Sequence, residues 1–145
     1  MQAVDIAAAY ADALIHGDMP AMQSLWADEF VLDWVHADAF EDTLSSPEQI
    51  TQFWPAWLAG FTAPDYEVTR TVAAETVVVM QWVFRGTHTQ PIGPPVFAEP
   101  IQPRRRTIRL RGVTFLDIAG GKIQKETIYL DLVTLYVELG VDLHP

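Results

Sequence analysis

Residues 76–88 (TVVVMQWVFRGTH) constrain this chain more than any other segment, because they read as one long strand with apolar residues on both faces. Val77, Val79, Gln81, Val83 and Arg85 alternate with Val78, Met80, Trp82 and Phe84. β-branched and aromatic residues in such a run suit a pleated surface. A strand of this length crosses a whole sheet and curls with its twist. It needs cover on both sides. Helices can supply it inside the curve, and a second copy of the chain can supply it outside, where a lone sheet would expose a large apolar patch. A homodimer through the outer face is therefore expected.

The neighbouring segments fit that frame. Residues 107–119 and 122–130 read as antiparallel strands joined by the two-residue turn Gly120-Gly121. Further strands are expected at 30–35 and 66–73. Val4, Ala7, Ala8, Ala11, Leu14 and Ile15 recur at helical spacing, and His16-Gly17 ends that helix. A short second helix follows, capped by Asp18, with Pro20 in its first turn. For the third, Ser46 offers a cap, Pro47 takes the first position and Gln49 closes a capping box. Its face carries Ile50, Phe53, Trp54, Trp57 and Leu58, while Pro55 predicts a kink or an early break. Residues 132–139 form a last short helix that Gly140 stops in a left-handed conformation. Between the long strands, prolines 91, 94, 95, 100 and 103 predict a stiff lip rather than a mobile lid. Helices followed by long strands make an α+β order. The expected architecture is one domain over 1–145, a curved, mostly antiparallel sheet wrapped around N-terminal helices into a conical barrel with an internal pocket.

Five Trp, seven Phe and four Tyr in 145 residues are enough rings to line a cavity as well as fill a core. A net charge of −10 argues against nucleic acid and anionic membranes as partners. There is no cysteine, so disulfides, thiolate metal sites and thiol nucleophiles are excluded. The N-terminus lacks the basic start and apolar run of a secretory signal, and no stretch has the length of a membrane helix, so a cytoplasmic location is expected. Of the basic residues, only Arg70 and Arg85 lie outside 104–125. Such a cluster solvates an exposed strand, unless Arg109 or Arg111 turns inward to meet an anionic or enolate oxygen.

Three segments together resemble the SnoaL-like polyketide cyclases, a branch of the nuclear-transport-factor-two-like (cystatin-like) folds. Residues 82–89 (WVFRGTHT) resemble the central strand, 106–118 (RTIRLRGVTFLDI) the next strand, and 121–140 (GKIQKETIYLDLVTLYVELG) the last strand, its aspartate and the closing helix. The order of elements agrees over essentially the whole chain. The resemblance implies a cofactor-free pocket in which an aspartate removes a proton beside an ester carbonyl, and the enolate closes a ring by intramolecular aldol attack. Cyclases commonly carry Trp in the last strand and a Gln-rich closing helix, where this chain has Thr127, Ile128 and Tyr136-Val137-Glu138. The same fold also hosts ketosteroid isomerases, epoxide hydrolases and noncatalytic binders.

Asp131 is the first candidate for acid and base, with helix capping as its alternative role. Strand alternation places it on one face with Thr127 and Tyr129, and that face is assigned to the pocket, leaving Glu126 on the surface or in a dimer contact. Tyr129 could then donate to an enolate oxygen. His88 ends the central strand on the face of Trp82 and could polarise a carbonyl or hold Asp131 charged; its alternative is a bond to the adjacent loop. Asp33 and His36 fall on opposite faces of the first strand, and Asp33, beside Trp34, is the better pocket candidate. Trp34, Trp54 and Trp82 are expected to line the substrate pocket, with Arg111 as the inward-facing cation. His36-Ala37-Asp38 has metal-ligand residue types but no third partner at sensible spacing, so no metal is expected. No phosphate loop or dinucleotide motif suggests a cofactor, and His16 and His144 are expected in solvent. The reading is a cyclase or isomerase acting on a hydrophobic carbonyl compound, with a noncatalytic small-molecule binder or an epoxide hydrolase (Asp33, Arg111 and Asp131) as alternatives.

Overall fold

The computed structural model describes residues 1–36 and 43–142, so Ala37, Asp38 and His144 lie outside the described residues. Helices α1 (Ala3–Ile15) and α2 (Met19–Ser24) precede strands β1 (Trp26–Trp34) and β2 (Thr43–Leu44). Helix α3 (Pro47–Ala59) leads into β3 (Phe61–Ala73), β4 (Val77–His88), β5 (Thr107–Ala119) and β6 (Lys122–Leu130), and α4 (Leu132–Leu139) follows. The strands form one sheet in the order β2-β1-β6-β5-β4-β3. All neighbours are antiparallel except β1 and β6.

Alternation in β4 divides the sheet into an inside and an outside. Val78, Met80, Trp82 and Phe84 are buried, whereas Gln81 is exposed and Val79 and Arg85 are half-buried. The inner face packs against α1, which buries Ile6, Ala7, Tyr10 and Leu14, and against α3, which buries Ile50, Phe53, Trp54 and Trp57. The outer face leaves Val72, Phe115 and Tyr129 exposed, with Phe115 and Tyr129 in edge contact at 5.9 Å between ring centroids.

Most local signals act as expected. The Asp18 carboxylate accepts from Ala21 N at 3.2 Å, Gly120 and Gly121 take φ of 60° and 75° in the β5–β6 turn, and Gly140 ends α4 at φ 79°. Two differ. Ser46 precedes α3 without a side-chain cap bond, and α3 continues through Pro55 to Ala59 without a break. With Trp54 and Trp57 buried on either side of Pro55, tertiary packing outweighs its lost backbone bond. No helix is long and apolar enough to cross a membrane, among the described residues.

A bulge in β6 decides which side chains enter the interior. Asp117 pairs with Lys125, but the next residue, Ile118, pairs with Ile123, so β6 carries one extra residue there. The extra residue reverses the alternation. Ile123 and Glu126, three apart, both point inward, and Ile128 follows them. Tyr129 is left outside.

Candidate functional site

The interior cavity is walled by aromatic rings. Trp34 comes from β1, Trp54 and Trp57 from α3, Tyr66 from β3, and Trp82 and Phe84 from β4. Its volume is about 30 Å³, room for a solvent molecule rather than a polycyclic compound. Packing of Trp82 explains the tight fit. Its indole lies over Gly112, its partner in the β4–β5 register, and a Cβ at residue 112 would stand 2.2 Å from that ring. The indole Nε1 donates to Thr114 Oγ1 at 2.9 Å.

The proline-rich segment reaches the cavity through one residue. Val96 lines the cavity, Phe97 packs toward Tyr136 of α4 at 6.0 Å, and Ile92 is fully buried. Trp34 Nε1 donates to the Val96 carbonyl at 3.0 Å, which ties the segment to β1.

Behind the Trp54 wall, and not itself lining the cavity, lies a buried carboxylate, Glu126, with 1 % of its surface exposed. The Tyr10 hydroxyl donates to its Oε1 at 2.6 Å, and Trp54 Nε1 approaches the same oxygen at 3.4 Å. Behind Tyr10, Trp26 Nε1 donates to the phenolic oxygen at 3.1 Å. Burial pushes the Glu126 pKa up to about 7, against the opposing pull of the two hydrogen bonds. Burial, and then the charge of Glu126, hold the hydroxyls of Tyr10 and Tyr66 well above the usual phenol range, so both remain protonated donors. A carboxylate that can hold or release a proton near neutrality, beside an apolar cavity, has the properties required of a general acid/base.

His88 shares the inner face of β4 with Trp82 and Phe84, as alternation predicts, but stands at the strand's far end beside Phe61, at 5.7 Å between centroids. It has no exposed surface, and neither ring nitrogen meets a partner at full hydrogen-bond geometry, the Gln90 backbone being only a weak neighbour. Burial lowers its pKa, with the Gln90 backbone acting in the opposite direction, and favours the neutral ring.

Of the residues expected around Asp131, Arg111 and Tyr129 do meet it, but on the other side of the sheet, while His88 and Asp33 do not. Arg111, Tyr129 and Asp131 line one shallow groove on the outer face with Thr69 and Gln81. Asp131 is the N-cap of α4: its Oδ1 accepts from Thr134 N at 3.1 Å and its Oδ2 from the Thr134 hydroxyl at 2.8 Å. These bonds, with Arg111 contributing less, lower its pKa. Arg111 is exposed rather than turned inward. The β6 bulge is the physical reason, since it places this set outside and brings Glu126 inside. Asp33 pairs in register with Thr127 and meets Lys125 at 3.7 Å, away from the cavity that its neighbour Trp34 lines. His36 stacks on Trp34 at 4.9 Å. Trp34, Trp54 and Trp82 all line the cavity.

Sequence reasoning missed Glu126 and its donor Tyr10. Two signals were available. Tyr10 falls within the apolar stripe of α1, and a buried tyrosine hydroxyl calls for a partner. Ile123 and Ile128 cannot both face inward under strict alternation, which implies an irregularity between them.

The model of the SnoaL-like polyketide cyclase family matches residues 4–139, and the chain belongs to that family. Among solved structures it is similar to a candidate SnoaL-like polyketide cyclase from Jannaschia sp. CCS1, with TM-score 0.80 and 16 % identity over 96 % of this chain and 92 % of that one. It is also similar to IdmH, a candidate polyketide cyclase from Streptomyces antibioticus, with TM-score 0.74 and 23 % identity over 97 % and 100 % of the two chains. AclR, a candidate hydroxylase from Streptomyces galilaeus, has TM-score 0.74 and 18 % identity over 94 % and 93 %. Identities this low establish a shared fold, and one fold carries many chemistries. No curated protein matches the chain.

Proposed function

We propose that the protein is a cofactor-independent cyclase or isomerase acting on a hydrophobic, carbonyl-bearing small molecule, with Glu126 rather than Asp131 as its acid/base. The observation that carries this reading is a fully buried carboxylate, poised near neutrality, with an aromatic cavity beside it. In its ionised form Glu126 takes the proton from the carbon next to a carbonyl. The electron pair moves onto the carbonyl oxygen, and the Tyr66 hydroxyl, at the cavity wall, is the natural donor to that oxyanion. Attack of the enolate carbon on a second carbonyl of the same molecule forms the ring bond, and the proton on Glu126 returns to the new alkoxide. Atoms and charge balance without an outside reagent.

Turnover of conjugated polyketide esters by wild type, Glu126→Gln and Asp131→Asn tests the assignment. We expect Glu126→Gln to lose at least a hundredfold in rate, in line with removal of a general base, while Asp131→Asn stays near wild type. The wild-type rate should rise with pH through about 7 as Glu126 ionises. Full turnover by Glu126→Gln would sink the assignment.

A second reading, binding without chemistry, is favoured by the small size and apolar walls of the cavity. It requires that ligands bind and leave unchanged, with equal affinity in Glu126→Gln. The exposed Val72, Phe115 and Tyr129 support association of two copies through the outer face of the sheet. Sedimentation of Phe115→Glu against wild type tests that arrangement, and a wild-type monomer would exclude it.

A further inference from the structure

Trp54 belongs both to the cavity wall and to the surroundings of the carboxylate. Of the two donors to Glu126 Oε1, it is the one that lines the cavity. Tyr10 lies in α1 and is anchored from behind by Trp26. The two bonds also differ in strength. Tyr10 donates at 2.6 Å, a short bond typical of a hydroxyl facing a carboxylate, whereas Trp54 stands at 3.4 Å, near the limit of a hydrogen bond. The strong bond comes from a residue away from the cavity and the weak one from its wall.

We propose that Trp54 is a positioning residue that sets the proton affinity of Glu126 from the cavity wall, so that a ligand pushing the indole aside makes the carboxylate a stronger base. This rests on Glu126 being the acid/base. The groups facing the carboxylate leave little else to tune it. Tyr10 faces it from α1, Trp54 from α3 and Tyr66 from β3, while its register neighbours are Leu32 of β1 and Leu116 of β5. Both tyrosines stay neutral through the physiological range, and among the described residues no Lys, Arg or His contributes to the Glu126 proton affinity. Removing the indole N–H takes away an interaction stronger with the charged form than with the neutral acid, so the proton is held more tightly. Trp57 serves as a control, because it lines the same cavity from the same helix and packs on Phe61 and Phe84 instead.

The test is a pH titration by NMR, following the Glu126 carboxyl carbon, assigned through Glu126→Gln, and the five indole N–H signals, assigned through Trp→Phe variants. In the wild type the Trp54 signal should shift with the same midpoint as the Glu126 carbon, while that of Trp34, bonded to the Val96 carbonyl, stays still. In Trp54→Phe the Glu126 midpoint should rise, corresponding to a severalfold tighter proton, and the base limb of the rate profile should move with it. In Trp57→Phe the midpoint should not move. A silent Trp54 signal in the wild type overturns the proposal, and that measurement decides the matter even if Trp54→Phe fails to fold. An unmoved midpoint in folded Trp54→Phe overturns it equally. Retention of turnover by Glu126→Gln instead overturns the acid/base reading, whatever the midpoint does, so the two failures are separable.

Discussion

Two carboxylates, Glu126 within β6 and Asp131 just past its end, have opposite fates. On the inside, Glu126 has lost its water, and burial raises its pKa to about 7. On the outside, Asp131 stays solvated, and the first-turn N–H of Thr134, with its hydroxyl, holds its pKa below the usual value. Only five residues of sequence separate them. The difference is environment: a carboxylate facing an apolar interior keeps its proton to high pH, and one facing a helix N-terminus gives it up readily. A family motif can mark where a carboxylate sits along the chain, but not which side of the sheet it meets.

The contrast between inside and outside can be broken most severely by truncation. Phe84→Ala, on the inner face, should cost about 3–5 kcal/mol by cavity formation, whereas Tyr129→Ala on the outer face should cost the single chain no more than about 0.5 kcal/mol, any further loss being that of the proposed contact between two copies. Urea unfolding of both variants measures this, and equal losses would mean that the outer face is covered in solution.

Next in size is the pH response of the inner carboxylate. Its folded pKa lies above the unfolded value, so the native state binds more protons between pH 4.5 and about 7. Stability associated with Glu126 is therefore full at acid pH and falls as pH rises through about 7, by roughly 3 kcal/mol over the whole window. Glu126→Gln should flatten that part of the stability–pH curve and be more stable than wild type at pH 8. Asp131, with its pKa depressed, runs the other way and loses its contribution only as pH falls below the ordinary carboxylate range.

Gly112→Val sharpens the comparison at a single inner position, because its Cβ would overlap the Trp82 indole. A loss of about 1–3 kcal/mol is expected from overpacking, read by thermal unfolding together with loss of the Trp82 indole's protection from solvent exchange. Smallest is Asp131→Ala. It removes a cap at the surface and should lower Tm by a few degrees at most, with turnover close to wild type.

Much of the architecture was legible from local pattern. Residues 107–119, 122–130 and 132–139 form their elements at the expected bounds, since a glycine pair and a left-handed glycine punctuate them. The aromatic walls were legible too: Trp34, Trp54 and Trp82 meet around the cavity because each lies on the apolar face of its own element. The carboxylate was not. Alternation groups Asp131 with Thr127 and Tyr129 without saying which face is inner; assigning that face to the pocket puts Glu126 outside, and the register around the extra residue near Gln124 gives the reverse. The loop at 91–103 was read as a stiff lip, but its contact with the cavity through Val96 depends on the distant Trp34.

By itself the sequence determined the family, the order of helices and strands, and the aromatic character of the interior, because propensity, periodicity and turn residues act over a few neighbouring positions. Only the tertiary structure decided which carboxylate lost its water and which groups surround it. That choice depends on one register shift between β5 and β6 and on Tyr10 and Trp54 arriving from two separate helices, long-range pairings that no local pattern encodes.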